Sequence, residues 1–109
     1  MIAADVDLVF SAVSDPTRRR ILDRLQRGPA RVTDIAAPFD MSLNAVSKHV
    51  KVLESAGLVR RSRQGREHVL ALDARPLAKV ADWANGYERY WTKRLDRLEA
   101  FFVEKRKRS

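Results

Sequence analysis

SLNAVSKHVKVLESAGLVRRSRQGR, residues 42–66, decides how the rest of this 109-residue chain is read. Ser42 is a good helix cap, and Leu43, Val46, Val50 and Leu53 then recur at spacings of 3, 4 and 3, one apolar helical stripe. The opposite face presents Asn44, Ser47, Lys48 and Lys51, and Gly57 stands where a left-handed residue usually ends a helix. Beyond it, Leu58-Val59 and Val69-Leu70-Ala71-Leu72 read as two strands with Gln64-Gly65 near the turn. Arg60, Arg61, Arg63 and Arg66 crowd the tip of this hairpin, and Glu54 is the only acid between Asp40 and Glu67. Two cationic elements joined by one glycine turn suit a surface that lies along a polyanion.

Toward the N-terminus, Val6, Val9, Phe10 and Val13 form an apolar stripe on a helix over 5–13. Asp15 then caps a second helix with Pro16 at its first position, where the missing N–H costs nothing. That helix should bury Ile21, Leu22 and Leu25 and stop near Gly28-Pro29. Arg18-Arg19-Arg20 reads first as a solvated or acid-paired face and only second as a phosphate contact. Thr33 is expected to cap a short helix that carries Asp34 in its first turn, turns Ile35 and Ala36 inward and ends loosely at Pro38. Two helices joined by a short turn at Phe39-Asp40-Met41, the second with a polar N-terminal face, make a helix-turn-helix pattern.

Toward the C-terminus, a helix is expected over about 76–105. Leu77, Val80, Ala84, Tyr87, Trp91, Leu95, Leu98 and Phe102 alternate close to heptad spacing along it. Thirty residues make a rod of about 45 Å, longer than a small domain can cover. The spacing therefore predicts a two-fold homodimer formed mainly by this helix, with help from the first helix through Val9. Asn85-Gly86 is a point where the rod can bend. Trp83, Tyr87, Tyr90 and Trp91 could instead line a ligand pocket, but dimer core is the preferred reading. Residues 105–109, KRKRS, read as a mobile basic tail.

Composition narrows the class. The length fits one domain over 1–109, with its core at about 5–73. Twenty-two basic against 14 acidic residues give a net charge of +8 and a pI near 10.6, which favours nucleic acid or an anionic membrane surface. With no cysteine, disulfides, thiolate metal sites and cysteine nucleophiles are excluded. No apolar run approaches the roughly 20 residues of a membrane span. The opening MIAADVDLVF carries acids rather than the basic start of a signal peptide, so a cytoplasmic protein is expected. Two separated histidines, His49 and His68, and no glycine-rich phosphate loop argue against an enzyme.

SDPTRRRILDRL, VTDIA and MSLNAVSKHVKVLESAGLVRRSRQGREHVLAL together resemble the ArsR/SmtB family of winged-helix transcriptional repressors over roughly 5–73. The most specific part is the Ser-Lys-His-Val to Gly-Leu-Val stretch, 47–59, and ERYWTKRLDRLEAFF resembles an autorepressor-like branch without metal sites. The resemblance implies a homodimer on operator DNA, with the helix over 43–55 in the major groove and the hairpin after it as the wing. Arg31 and Thr33 stand where metal-sensing members carry cysteines, and the last helix has no histidine. A metal site is therefore not expected, nor any cofactor.

The fold expected is mainly α with a small β-hairpin wing (α+β), a winged helix-turn-helix of five helices with a long C-terminal dimerisation helix. The function expected is a dimeric repressor on a near-palindromic operator of double-stranded DNA, read by the helix at about 43–55 and a basic wing at about 58–72. Asn44, Ser47 and Lys48 are the expected base contacts, since asparagine can pair bidentately with adenine and lysine with guanine. Ser42, Lys51, His49, Arg60, Arg61, Arg63 and Arg66 are expected at the backbone. A winged-helix protein-interaction module and a metal-responsive repressor are the alternatives.

Overall fold

The computed structural model describes the backbone of residues 2–108 and the side chains of 6–107. Ser109, the end of the expected tail, lies outside the described residues.

α1 (Ile2–Val13) and α2 (Pro16–Leu25) meet at Asp15, whose carboxylate accepts the Arg18 N–H at 3.0 Å while Pro16 opens the helix. The chain then makes a two-residue strand β1 (Ala30–Arg31), a short α3 (Val32–Ala36) and α4 (Leu43–Ser55). Strands β2 (Val59–Gln64) and β3 (Glu67–Leu72) form the hairpin, and α5 (Leu77–Asn85) and α6 (Glu88–Arg108) follow. The sheet is antiparallel in the order β1-β3-β2, with Ala30 opposite Leu70 and Val59 opposite Leu72. Among the described residues there are thus six helices rather than five, because the C-terminal rod is divided at Gly86-Tyr87.

α4 owes its placement to both ends and one face. Ser42 Oγ accepts the Ala45 N–H at 3.1 Å, satisfying a donor that the first turn leaves orphaned. At the other end Gly57, at φ +77°, lets its own N–H reach the Glu54 carbonyl and the Leu58 N–H reach the Leu53 carbonyl. Leu53 and Leu58 are both fully buried, so an apolar contact can lock this turn and set the departure angle of the hairpin. Along its length Val46, Val50 and Leu53 enter a core shared with Val9, Ala12, Ile21, Leu22, Leu25, Ile35 and Leu70.

Several expectations are corrected. Leu43 is 51% exposed: it has the angular position of the stripe but precedes the part of α4 that reaches the core. Thr33 lies inside α3, and the cap position is Arg31, which makes no side-chain capping bond. Val9, expected at a dimer interface, is 1% exposed because α2, α4 and α5 pack around α1 within the same subunit. Leu77 and Val80 are half-buried against the core. The basic tail is no loose end through Arg108, since α6 continues that far.

Beyond Val80 the rod meets the body once more at Trp83, whose ring lies edge-on to Phe10 of α1 at 5.2 Å, and then leaves it. The chain extends 68 × 36 × 21 Å with a radius of gyration of 19.4 Å. A compact domain of this length would have about 13 Å. Ala84, Tyr87, Trp91, Leu95, Leu98 and Phe102 are all exposed along it, as are Trp83, Tyr90 and Phe101.

Candidate nucleic-acid interface

The buried stripe of α4 fixes which of its residues face water. With Val46, Val50 and Leu53 inward, Ser42, Asn44, Lys48 and Lys51 are exposed and Ser47 is half-buried. Neither lysine has an acidic partner among the described residues. The N-terminal half of α4 is therefore a polar, cationic ridge on a rigid base. The major groove of B-DNA, about 12 Å across, admits an α-helix.

His49, on the flank of this ridge, is only partly exposed. Its Nδ1 lies 3.3 Å from an Arg18 guanidinium nitrogen and 3.8 Å from Asp15 Oδ2. Capping of α2, with the Arg18 N–H first, holds the Asp15 carboxyl below its usual range. The arginine run is largely structural: Arg18 and Arg19 donate to carbonyls at the end of α1, and the Arg20 guanidinium sits 4.4 Å over the Phe39 ring.

The wing arginines divide into two pairs. Arg61 is bound by Glu54 at 2.8 Å, and Arg60 by Asp73 at 3.0 Å. Asp73 also takes Arg75 at 2.7 Å, and these contacts, Arg75 first, depress its carboxyl well below the ordinary carboxylate range. The hairpin strands themselves hold no balancing acids for the root arginines; the acids come from the end of α4 and from the residue just after β3. At the tip Arg63 donates to the Gly65 carbonyl at 3.2 Å, and Arg66 has no side-chain partner among the described residues. The tip thus carries the uncompensated charge.

The position aligned with metal-sensor cysteines is filled otherwise. Arg31 bridges Asp34 at 2.9 Å and Glu67 at 2.8 Å, tying α3 to β3, which holds the Asp34 carboxyl low and raises the guanidinium. No three His, Asp or Glu side chains among the described residues converge to hold a metal ion. No helix among them is long and apolar enough to cross a membrane.

Residues 13–62 match a helix-turn-helix domain family. The transcriptional repressor SdpR of Bacillus subtilis is 37% identical over 75 residues, covering 69% of this chain and 83% of the repressor. The crystal structure of an ArsR family transcriptional regulator superposes with a TM-score of 0.75 at 39% identity, covering 83% of this chain and 93% of that one. A homodimeric winged helix-turn-helix DNA-binding domain from Mycobacterium bovis, a possible ArsR-family regulator, gives 0.64 at 29% identity over 81% of this chain and 85% of that one. With Ser42-capped α4, its glycine-locked exit and the cationic hairpin matching in one continuous stretch, the chain belongs to the ArsR/SmtB family of winged helix-turn-helix transcriptional regulators.

Proposed function

We propose that this chain represses transcription as a homodimer that sets one α4 of each subunit into successive major grooves of a near-palindromic operator. The observation that carries the proposal is the ridge of exposed Asn44 and Lys48 with half-buried Ser47, acid-free and braced by a fully buried stripe, beside a hairpin whose tip charge is unbalanced. In this reading those three residues meet base edges. Ser42, Lys51, His49 and the wing arginines meet phosphates, which fix register and supply affinity without sequence information. Arg63 and Arg66 carry more of that load than Arg60 and Arg61, whose charge is already met by Asp73 and Glu54. The two-fold axis runs along the exposed apolar residues from Ala84 at the end of α5 to Phe102 on α6. Half-sites then lie about one helical turn, roughly 34–36 Å, apart. Release through a thiolate-bound metal at the start of α3 is disfavoured, since Arg31 and Thr33 stand at those positions and Arg31 is engaged by Asp34 and Glu67.

Selection of bound fragments from random duplex DNA tests the whole reading. An inverted repeat with half-site centres about 10–10.5 bp apart is expected. Within the recovered site, Lys48→Ala should relax base preference, whereas Lys51→Ala should weaken specific and random duplexes alike. Recovery of no preferred sequence, or unchanged binding by both variants, would overturn the groove assignment.

A further inference from the structure

Arg18 joins the α1–α2 corner to α4, which lies 31 residues further along the chain at His49. Its Nε donates to the Ala12 carbonyl at 2.8 Å and an Nη to the Ser11 carbonyl at 3.0 Å, which closes the C-terminal turn of α1. Its own backbone N–H is the donor held by the Asp15 cap of α2. The remaining Nη lies 3.3 Å from Nδ1 of His49 on α4. A planar fork can serve all three directions at once; a lysine ammonium, a single point, cannot.

The last contact has a chemical consequence. Guanidinium is donor-only and stays charged, so the ring nitrogen it meets must be the acceptor. A neutral His49 bound in this way carries its proton on Nε2. Asp15 Oδ2, at 3.8 Å from Nδ1, is too far to accept a proton from it. Nε2 has no protein partner among the described residues, and none of their buried side-chain nitrogens or oxygens is left unsatisfied, so Nε2 is open to solvent. An N–H with one defined direction is thereby presented from the flank of the recognition helix.

We infer that Arg18 is a positioning residue for DNA binding: it fixes His49 in the Nε2–H tautomer, so that this N–H donates to a DNA phosphate, and ties the orientation of α4 to the end of α1. The inference rests on the operator-binding reading above and adds to it a residue that touches no DNA. It also gives α1 a path to the reading head, because any shift in the last turn of α1 reaches His49 through a single side chain.

Two readouts test this, one without DNA. Long-range proton–nitrogen spectra of the full chain at neutral pH should show His49 as the Nε2–H tautomer, and Arg18→Lys should lose that bias while His68 keeps its own signature. For duplex binding, His49→Ala should weaken specific and random DNA by about tenfold, as expected for one hydrogen bond to a charged oxygen. His49→Gln, which retains an outward N–H, should recover most of that loss. Arg18→Lys should lose about as much as His49→Ala, and the double variant no more than either alone. Thermal unfolding of each variant confirms that the folded form is being compared; His49→Ala and His49→Gln keep the test open if Arg18→Lys fails to fold. A proton on Nδ1, additive losses in the double variant, or wild-type binding by His49→Ala would each overturn the inference. A wild-type chain that binds no duplex would overturn the operator reading and the phosphate contact together, while the tautomer, read without DNA, would still judge Arg18 separately.

Discussion

Replacing Leu95 and Leu98 together with alanine should separate the two subunits without unfolding either. Both leucines lie on α6, 63% and 52% exposed, and neither belongs to the buried core or to the residues packed against it. Fully burying a leucine side chain stabilises by about 1.5–3 kcal/mol, so covering the exposed part of each is worth about 1 kcal/mol. Alanine retains a minor share of that. With two positions in each of two subunits, the dimer should lose about 3 kcal/mol, which raises its dissociation constant about 100-fold or more. Sedimentation velocity over a concentration series reads this directly. Circular dichroism should be little changed, because the helix loses two exposed leucines and gains two stronger helix formers. On DNA, affinity for a two-half-site duplex should fall while that for an isolated half-site holds. An unchanged dissociation constant would show that the aromatic seam is not the subunit contact. Loss of helix content, or a lowered melting temperature that does not depend on protein concentration, would show that it packs within its own chain.

Gly57→Ala should destabilise by about 1–2 kcal/mol in chemical denaturation, because an added Cβ finds ordinary room, 3.5 Å from Pro76, and the cost is that of a left-handed alanine at φ +77°. Ser42→Ala should cost about 1 kcal/mol in the same assay through the lost cap on the Ala45 N–H. Asp73→Asn should lower the melting temperature slightly at neutral pH. Because Arg75 and Arg60 depress the folded-state carboxyl, its contribution is present above the unfolded value of about 3.9 and fades as pH falls below it, so the gap between wild type and variant should close on acidification. In salt titrations of duplex affinity, Arg66→Ala should flatten the slope of log affinity against log salt by about 0.9, whereas Arg61→Ala, held by Glu54, should leave the slope nearly unchanged.

How much of this was legible in the sequence depends on whether the signal was local. The α4 cap at Ser42 and its exit at Gly57 were readable because each is set by one residue and its immediate neighbours. Pro16 behind Asp15 and the turn at Gly65, φ +65°, were readable for the same reason. Periodicity gave the inward face of α4 but not where along the axis the core begins, which is why Leu43 was placed inside. The same limit misplaced Val9: a stripe says that a helix has a covered side, and whether the cover is a second subunit or α2, α4 and α5 is tertiary information. β1 spans two residues, too few to show an alternation, and exists only because β3 offers its free edge. The break after Asn85 was visible as Gly86, though not as two separate helices. Arg18 was seen only as one of three adjacent arginines; its partner lies 31 residues away, and no spacing rule connects them.

The hairpin shows why counting charges overstates a binding surface. All four of its arginines are cationic in sequence, yet the two nearest the helix are spent on holding the wing to the body. Arg61 reaches back to Glu54 on α4, and Arg60 meets Asp73 where the chain turns toward α5. These pairs are exposed enough that their stabilising effect is small, about 0–1 kcal/mol each. Their geometric effect is larger, since they join the wing root to α4 on one side and to the approach to α5 on the other. The cations left over, Arg63 and Arg66 at the tip and Lys48 and Lys51 on α4, lie at the two ends of that braced unit. A duplex seated against the ridge of α4 would therefore meet strong attraction at the helix and at the tip, with a near-neutral joint between them. On the operator-binding proposal, the root would set the angle of approach and the ends the affinity.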